Sequence, residues 1–139
     1  MGFTLTIKGE DTINFGVNMI SSAHVSVGTP IDSMAKSTNI AVTVWVTGKL
    51  FSADGGNSNT SKLFDWSLVP AQSADAYREV TVEVIHAKEA PFRTIHLPNA
   101  FVVDYSERYN DDKGYGEFVM ILKQRANKIP GVKTTEDGQ

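Results

Sequence analysis

The sequence predicts a mainly β domain, an antiparallel β-barrel or closely packed β-sandwich carrying one short α-helix. Two observations carry that prediction. Apolar residues recur at every second position through most of the chain, and a single run has capped helical spacing.

Phe3, Leu5 and Ile7 share one face of an opening strand, with Thr4, Thr6 and Lys8 on the other. Asn39 to Gly48 is the clearest strand, with Ile40, Val42, Val44 and Val46 opposite Ala41, Thr43, Trp45 and Thr47. Thr60 or Ser61 caps a helix of about two turns through Leu63, Phe64, Trp66, Leu68 and Val69, and Pro70 ends it. Arg78 to Ala87 sets Val80, Val82, Val84 and His86 against Glu79, Thr81, Glu83 and Ile85. Phe92 to Leu97 is a shorter strand closed by a turn at Pro98 and Asn99. Ala100 to Tyr109 follows, with Phe101, Val103 and Tyr105 on one face. The turn formers Asn110 to Gly114 join it to Tyr115 to Gln124 as an antiparallel hairpin. In that last strand Phe118, Val119, Met120, Ile121 and Leu122 are all apolar, so both of its faces need cover.

The chain has 139 residues and reads as one domain, residues 1–128, followed by a polar tail, residues 129–139, that is mobile by itself. The stretch from Ser52 to Thr60 is a flexible loop by composition. Thr29 to Ser37 has no period either, yet it carries Pro30, Ile31 and Met34, which a solvated connection does not need. With 13 basic and 16 acidic residues the net charge is −3, which attracts no polyanion, so no nucleic-acid recognition is expected. There is no cysteine, hence no disulfide, thiolate metal site or cysteine nucleophile. No stretch approaches the apolar length of a membrane span, and the start offers no signal-peptide core, so the chain is expected to fold in the cytoplasm.

Sites of chemistry are sparse. His24, His86 and His96 have no paired metal-ligand spacing, although His86, His96, Glu83 and Asp104 could meet in space as a metal or catalytic cluster. The hydrolase elbow G-x-S-x-G is absent. Asn110, Asp111 and Asp112 before Glu117 have the wrong spacing for an EF-hand and read as a hairpin turn. Gly55, Gly56, Gly114 and Gly116 are turn glycines without the context of a phosphate cradle. Trp45 and Trp66 are read as core or contact residues before a stacking platform. The expectation is a protein that is not an enzyme and requires no cofactor or metal.

Leu68 to Arg78, Glu79 to His86 and Leu97 to Glu107 resemble a group of small clostridial and other Firmicute proteins labelled membrane-associated protease, a label for which these residues offer no chemistry. In its order of elements the chain is similar to the tail-tube superfamily: phage tail-tube proteins, inner-tube proteins of contractile injection particles and the haemolysin-coregulated tube protein of type VI secretion. The resemblance implies a structural subunit that pairs strand edges around a ring, usually of six, and stacks rings through an arm and the termini. Itself would be its main partner, with sheath, baseplate or spike proteins beyond. The arm would be Thr29, Pro30, Ile31, Asp32, Ser33, Met34, Ala35, Lys36 and Ser37, docked on an adjacent subunit. Thr43, Thr47, Thr81 and Glu83 become candidates for a wet channel wall. The competing reading is a monomeric β-sandwich module that binds glycan or peptide through Trp45, Trp66 and the loops.

Overall fold

The computed structural model describes residues 1–29, 40–51, 59–86, 91–125 and 131–135. Among them the strands are β1 (Gly2–Lys8), β2 (Thr12–Gly28), β3 (Ala41–Phe51), β4 (Arg78–Ile85), β5 (Pro91–Arg108), β6 (Tyr115–Gln124) and β7 (Lys133–Thr135). Helix α1 (Asn59–Ser67) lies between β3 and β4. The hydrogen-bonded order is β4-β1-β2-β3-β6-β5-β7, every pair is antiparallel, and a further β4 to β5 pairing closes the first six strands into a barrel.

Two long strands form the corners of that barrel. β2 pairs with β1 up to Ile20 and with β3 from Ile20 onward, and a register irregularity falls between Ile20 and Ser22. β5 pairs with β4 up to Ala100 and with β6 from Ala100 onward. The barrel therefore consists of two sheets sharing corners. One runs β2 (12–20), β1, β4, β5 (91–100), β7. The other runs β2 (20–28), β3, β6, β5 (100–108).

The barrel and its one short helix agree with the sequence prediction, although the helix starts at Asn59, so that Thr60 and Ser61 lie inside it rather than capping it, and ends at Ser67 before Leu68 and Val69; four further differences concern the strands. No element was predicted over residues 12–28, because Asn14, Gly16, Asn18, Ser21 and Ser22 interrupt the apolar pattern, although Ile13, Phe15, Met19 and Ile20 are buried. The turn predicted at Pro98 and Asn99 is instead a bulge inside one continuous strand. Leu97 pairs with Val80 and Ala100 with Arg78, so the proline sits where β5 has an extra residue and its missing N–H breaks no ladder. Gln124, itself buried, holds the bulge by accepting the Asn99 N–H at 3.1 Å, and the Arg125 N–H donates to the Asn99 carbonyl at 2.8 Å. A second irregularity, between Val102 and Asp104, reverses the expected parity, so that Val102, Tyr105 and Glu107 face inward where Phe101, Val103 and Tyr105 were grouped. Finally, the predicted tail contributes β7, which adds to the open side of β5 with Thr135 opposite Thr94. Val132 packs on the core beside it.

The core is built from Leu5, Ile7, Phe15, Val44, Val46, Val80, Val82, Leu97, Phe118, Met120 and Leu122 on the strands and from Leu63 and Trp66 on α1. Trp66 is only 2% exposed, and its indole N–H donates to the Ala76 carbonyl at 3.1 Å, satisfying the one polar atom it brings inside. β3 also needs Gly48. A Cβ there would lie 2.5 Å from the Phe118 ring and 2.6 Å from the Met19 carbonyl oxygen.

Gly48→Ala is expected to destabilise the fold by about 1–3 kcal/mol, since the Met19 oxygen belongs to the backbone and cannot swing away. Gly114→Ala, where nothing lies within 4 Å, is the control and should change stability by less than about 0.5 kcal/mol. Urea unfolding of the two variants checks this; equal midpoints would show that the contact relaxes freely.

Candidate functional site

The corner strands create the feature most capable of function. Once β2 leaves β1, no described strand pairs with that side of residues 21–28. Once β5 leaves β4, none pairs with the corresponding side of residues 101–108. Both are edges of the same four-strand sheet, and an exposed edge is a template for another strand. Strand directions alternate across β2, β3, β6 and β5, so the two edges run antiparallel to each other. A copy rotated about an axis along the strands would thus bring its β2 beside β5 in antiparallel pairing. The five-strand sheet lacks this property: its outer strands, β2 and β7, run in the same direction, and β7 has only 3 residues.

The outer face of the four-strand sheet follows from cross-strand register. Ser26, Thr43, Lys123 and Phe101 form one row; His24, Trp45, Ile121 and Asp104 the next; Ser22, Thr47, Val119 and Ser106 the third. Ser22 and Thr47 share a hydroxyl hydrogen bond at 2.5 Å, and His24 meets the half-buried Trp45 edge-on at 4.8 Å. Val119 and Ile121 give this face its apolar share, which is why β6 reads as apolar on both sides.

Thr81 and Glu83 lie elsewhere. β4 and β1 are across the barrel from β3 and β6, so the outer faces of the two sheets point in opposite directions. There Thr4 donates to Glu83 at 2.8 Å, Thr81 bonds the His96 Nδ1 at 3.0 Å, and His96 Nε2 lies 3.3 Å from Glu79. The four channel candidates are therefore divided, Thr43 and Thr47 on one face, Thr81 and Glu83 on the opposite one. Of the arm, Thr29 is described and Pro30 to Ser37 lie outside the described residues.

The postulated cluster of His86, His96, Glu83 and Asp104 does not form. Asp104 belongs to the four-strand sheet, while Glu83 and His96 belong to β4 and β5 of the other. No group of three or more His, Asp or Glu among the described residues is placed to hold a metal ion. Nor do the tryptophans make a platform, since Trp45 is on the outer face and Trp66 is in the core. Among the described residues no helix is long and apolar enough to cross a membrane.

At the far end of β5 lies an aromatic hub that no residue pattern announces. Glu107 accepts hydrogen bonds from Tyr105 at 2.5 Å and from Tyr109 at 2.6 Å. The Tyr105 ring stacks on Phe118 and meets Phe64 of α1 edge-on, at centroid distances of 6.2 and 6.0 Å. The Tyr109 ring covers Gly116, where a Cβ would lie 2.7 Å from it. Helix and hairpin are thereby fastened together beside a cleft of about 550 Å³ that both line. Burial first, and the Glu107 carboxylate second, push the Tyr105 hydroxyl well above the ordinary tyrosine range; the bond to Glu107 also raises Tyr109.

This closed barrel, with two partner-exchanging corner strands and a helix in the β3 to β4 connection, has a fold like that of Hcp1 and of chains from contractile injection particles. The chain is similar along 100% of its length to 97% of Hcp1 from Flavobacterium johnsoniae, with a TM-score of 0.62 at 12% identity. It matches Hcp1 from E. coli EAEC 042 over 98% of this chain and 99% of that one, with a TM-score of 0.59 at 11% identity. A chain of the sheath-tube complex of the extracellular contractile injection system PVC matches with a TM-score of 0.55 at 14% identity, covering 98% of this chain and 89% of that one. No protein-family model and no curated protein matches the sequence.

In an ultraviolet titration Tyr105 should ionise above the ordinary value of about 10, and Glu107→Gln should lower that point by removing the charged acceptor. A raised folded value means that its contribution to stability is complete below about pH 10 and is lost as pH rises further. Unfolding midpoints measured from pH 8 upward should fall less steeply in Tyr105→Phe than in the parent; identical slopes would contradict the assignment.

Proposed function

We propose that this protein is a structural subunit that closes into rings through the two free edges of its four-strand sheet, and that the rings stack as the inner tube of a phage tail or contractile injection particle. The observation that carries this is the antiparallel relation of those edges within one sheet. Each subunit offers one edge of each kind, so a rotated copy satisfies both and the closed ring leaves neither exposed. The shared fold with Hcp1 and with a chain of the PVC sheath-tube complex supports the reading. Six subunits per ring is the number that the resemblance implies.

Continuing the four-strand sheet around a ring makes a single barrel, whose inner wall is one face of that sheet. The core side is occupied by the subunit's own second sheet, so the channel side is the outer face with Ser22, Ser26, Thr43, Thr47, Lys123 and Asp104. This wall combines hydroxyls and charges of both signs with Trp45, Phe101, Val119 and Ile121, a mixed surface that water can wet. Thr81 and Glu83 then face away from the channel, toward the surface that a sheath protein would cover. The arm from Thr29 to Ser37 leaves the end of β2, one of the pairing edges, which is where a segment must start if it is to reach an adjacent subunit. Sheath, baseplate or spike proteins remain the proposed partners beyond the tube itself. Assembly before secretion or particle release is proposed to take place in the cytoplasm.

Electron microscopy of the purified protein should show rings or rods with an axial channel; a species of one fixed dimeric mass, from a two-fold contact of like edges, would overturn the ring. Because the chain has no cysteine, single substitutions report position cleanly. In assembled tubes Thr47→Cys should be shielded from a bulky polymer-linked maleimide, whereas Thr81→Cys should react as it does in the monomer. The reverse pattern would exchange the two faces.

Replacing Ile31 and Met34 with serine should leave the monomer's melting temperature unchanged while weakening assembly. Burial of each side chain contributes on the order of 1.5–3 kcal/mol per contact, repeated at every subunit. Size-exclusion chromatography of the double variant checks this, and normal assembly would refute arm docking.

A further inference from the structure

Two exposed apolar surfaces flank the free edges, and both lie on the core side of the four-strand sheet. One belongs to α1. Its N-terminal residues Thr60 and Ser61 line a cleft with Tyr109, its Phe64 ring meets Tyr105, and its Trp66 and Ser67 line a hollow with Phe101 and Val102. The helix therefore runs antiparallel to residues 101–109, in the layer that the five-strand sheet vacates where β5 departs from β4. Leu63 and Trp66 turn into the core. Phe64 in the helix and Leu68 in the turn directly after it, whose N–H donates to the Asp65 carbonyl at 3.1 Å, remain 47% and 68% exposed.

The other surface belongs to β2. Ala23, Val25 and Val27 pair with Val46, Val44 and Val42, all three buried, so they share the core side of the sheet. Ala23 and Val25 are partly buried against the core, but Val27 is 63% exposed although its partner Val42 is buried, as expected on the unpaired side of the strand.

We propose, on the basis of the ring reading above, that α1 is the floor on which the next subunit's β2 lands, with Phe64 and Leu68 of one copy covering Val25 and Val27 of its neighbour. A strand added to the free edge of β5 must lay its core-side residues over whatever lies under that edge, and under that edge lies α1. Each copy has one helix surface and one valine surface, beside opposite edges, so only a head-to-tail contact covers both. A like-edge contact would set α1 against α1 and leave Val27 in water. The hollow of about 170 Å³ lined by Trp66, Ser67, Val69, Tyr77, Phe101 and Val102 lies beside the same stretch of β5 and is a mainly apolar recess for one of the valines. The interface thus has two layers: a backbone ladder that any strand could satisfy, and an apolar contact that selects this strand.

The test uses Val27→Cys/Leu68→Cys in the otherwise cysteine-free chain, cross-linked with a short bis-maleimide after assembly. The expected result is a denaturation-resistant ladder reaching the full ring number. Val27→Cys and Leu68→Cys alone should give no ladder. In parallel, Leu68→Ser and Phe64→Ser/Leu68→Ser should raise the concentration needed for assembly at least tenfold; Leu68→Ser leaves the hub at Tyr105 intact and separates assembly from folding. Rings that form normally in both serine variants and yield no ladder would overturn the helix floor while leaving the ring reading in place. Absence of rings in the parent protein would overturn the ring reading and this inference together. A dimer band from Leu68→Cys alone would place α1 against α1 and overturn the inference.

Discussion

The exchange of hydrogen-bonding partners along β2 and β5 is the constraint on which the rest of this structure depends. A strand of 17 residues and one of 18 are longer than any neighbour they pair with, so each must serve two partners in turn. Backbone N–H and C=O groups at the point of exchange still need partners, and irregular register at Ile20 and at Pro98 to Asn99 supplies the geometry. With both corners in place six strands close into a barrel. The same corners leave half of each long strand projecting with one side unpaired.

The barrel thus pairs the first half of β5 on both sides, with β4 and β7, while the second half of β5 and each half of β2 keep one side unpaired among the described strands. α1 is the compensation within the chain. Where the five-strand sheet parts from β5, Leu63 and Trp66 of the helix complete the core, and the bonds from Tyr105 and Tyr109 to Glu107 secure that end. Cation and ring contacts continue the seal: Arg78 lies over Trp66 at 5.2 Å while pairing with Asp75, and Arg125 lies over Tyr77 at 4.6 Å. Ion pairs at the surface add little to this; the Lys113 to Glu117 pair is open to solvent and strongly screened. Rigidity at the β5 end follows from burial and aromatic packing. That is the end against which a partner strand would have to register.

Polar character divides just as sharply between the two outer faces. The face with Thr81, Glu83, His96 and Glu79 is bonded to itself in cross-strand pairs, leaving a polar skin with few unmet demands. The opposite face alternates hydroxyls with Trp45, Val119 and Ile121. One chain with period-two strands can build both surfaces because side chains alternate strictly through the sheet. A bulge is what reassigns them, as at Val102 to Asp104, where Tyr105 and Glu107 turn inward and become available to the hub.

The sequence by itself determined the strands with uninterrupted alternation, β1, β3 and β4, the continuous apolar run of β6 and one short helix before Pro70, because burial writes its period directly into the residues. It also determined that the three histidines have no paired metal-ligand spacing and that no cysteine supplies a thiolate. Tertiary structure alone decided β2, whose asparagines, serines and glycine suit a strand that changes partners and is half exposed. It decided that Pro98 lies within a strand, because only the pairing of β4 and β6 shows that its absent N–H is not needed there. It decided the separation of Thr43 and Thr47 from Thr81 and Glu83, since alternation says which residues share a strand face but not which way that strand faces in the barrel. The free edges belong to the same class: an unpaired N–H has no signature in the residue that carries it, and depends wholly on where the neighbouring strand stops.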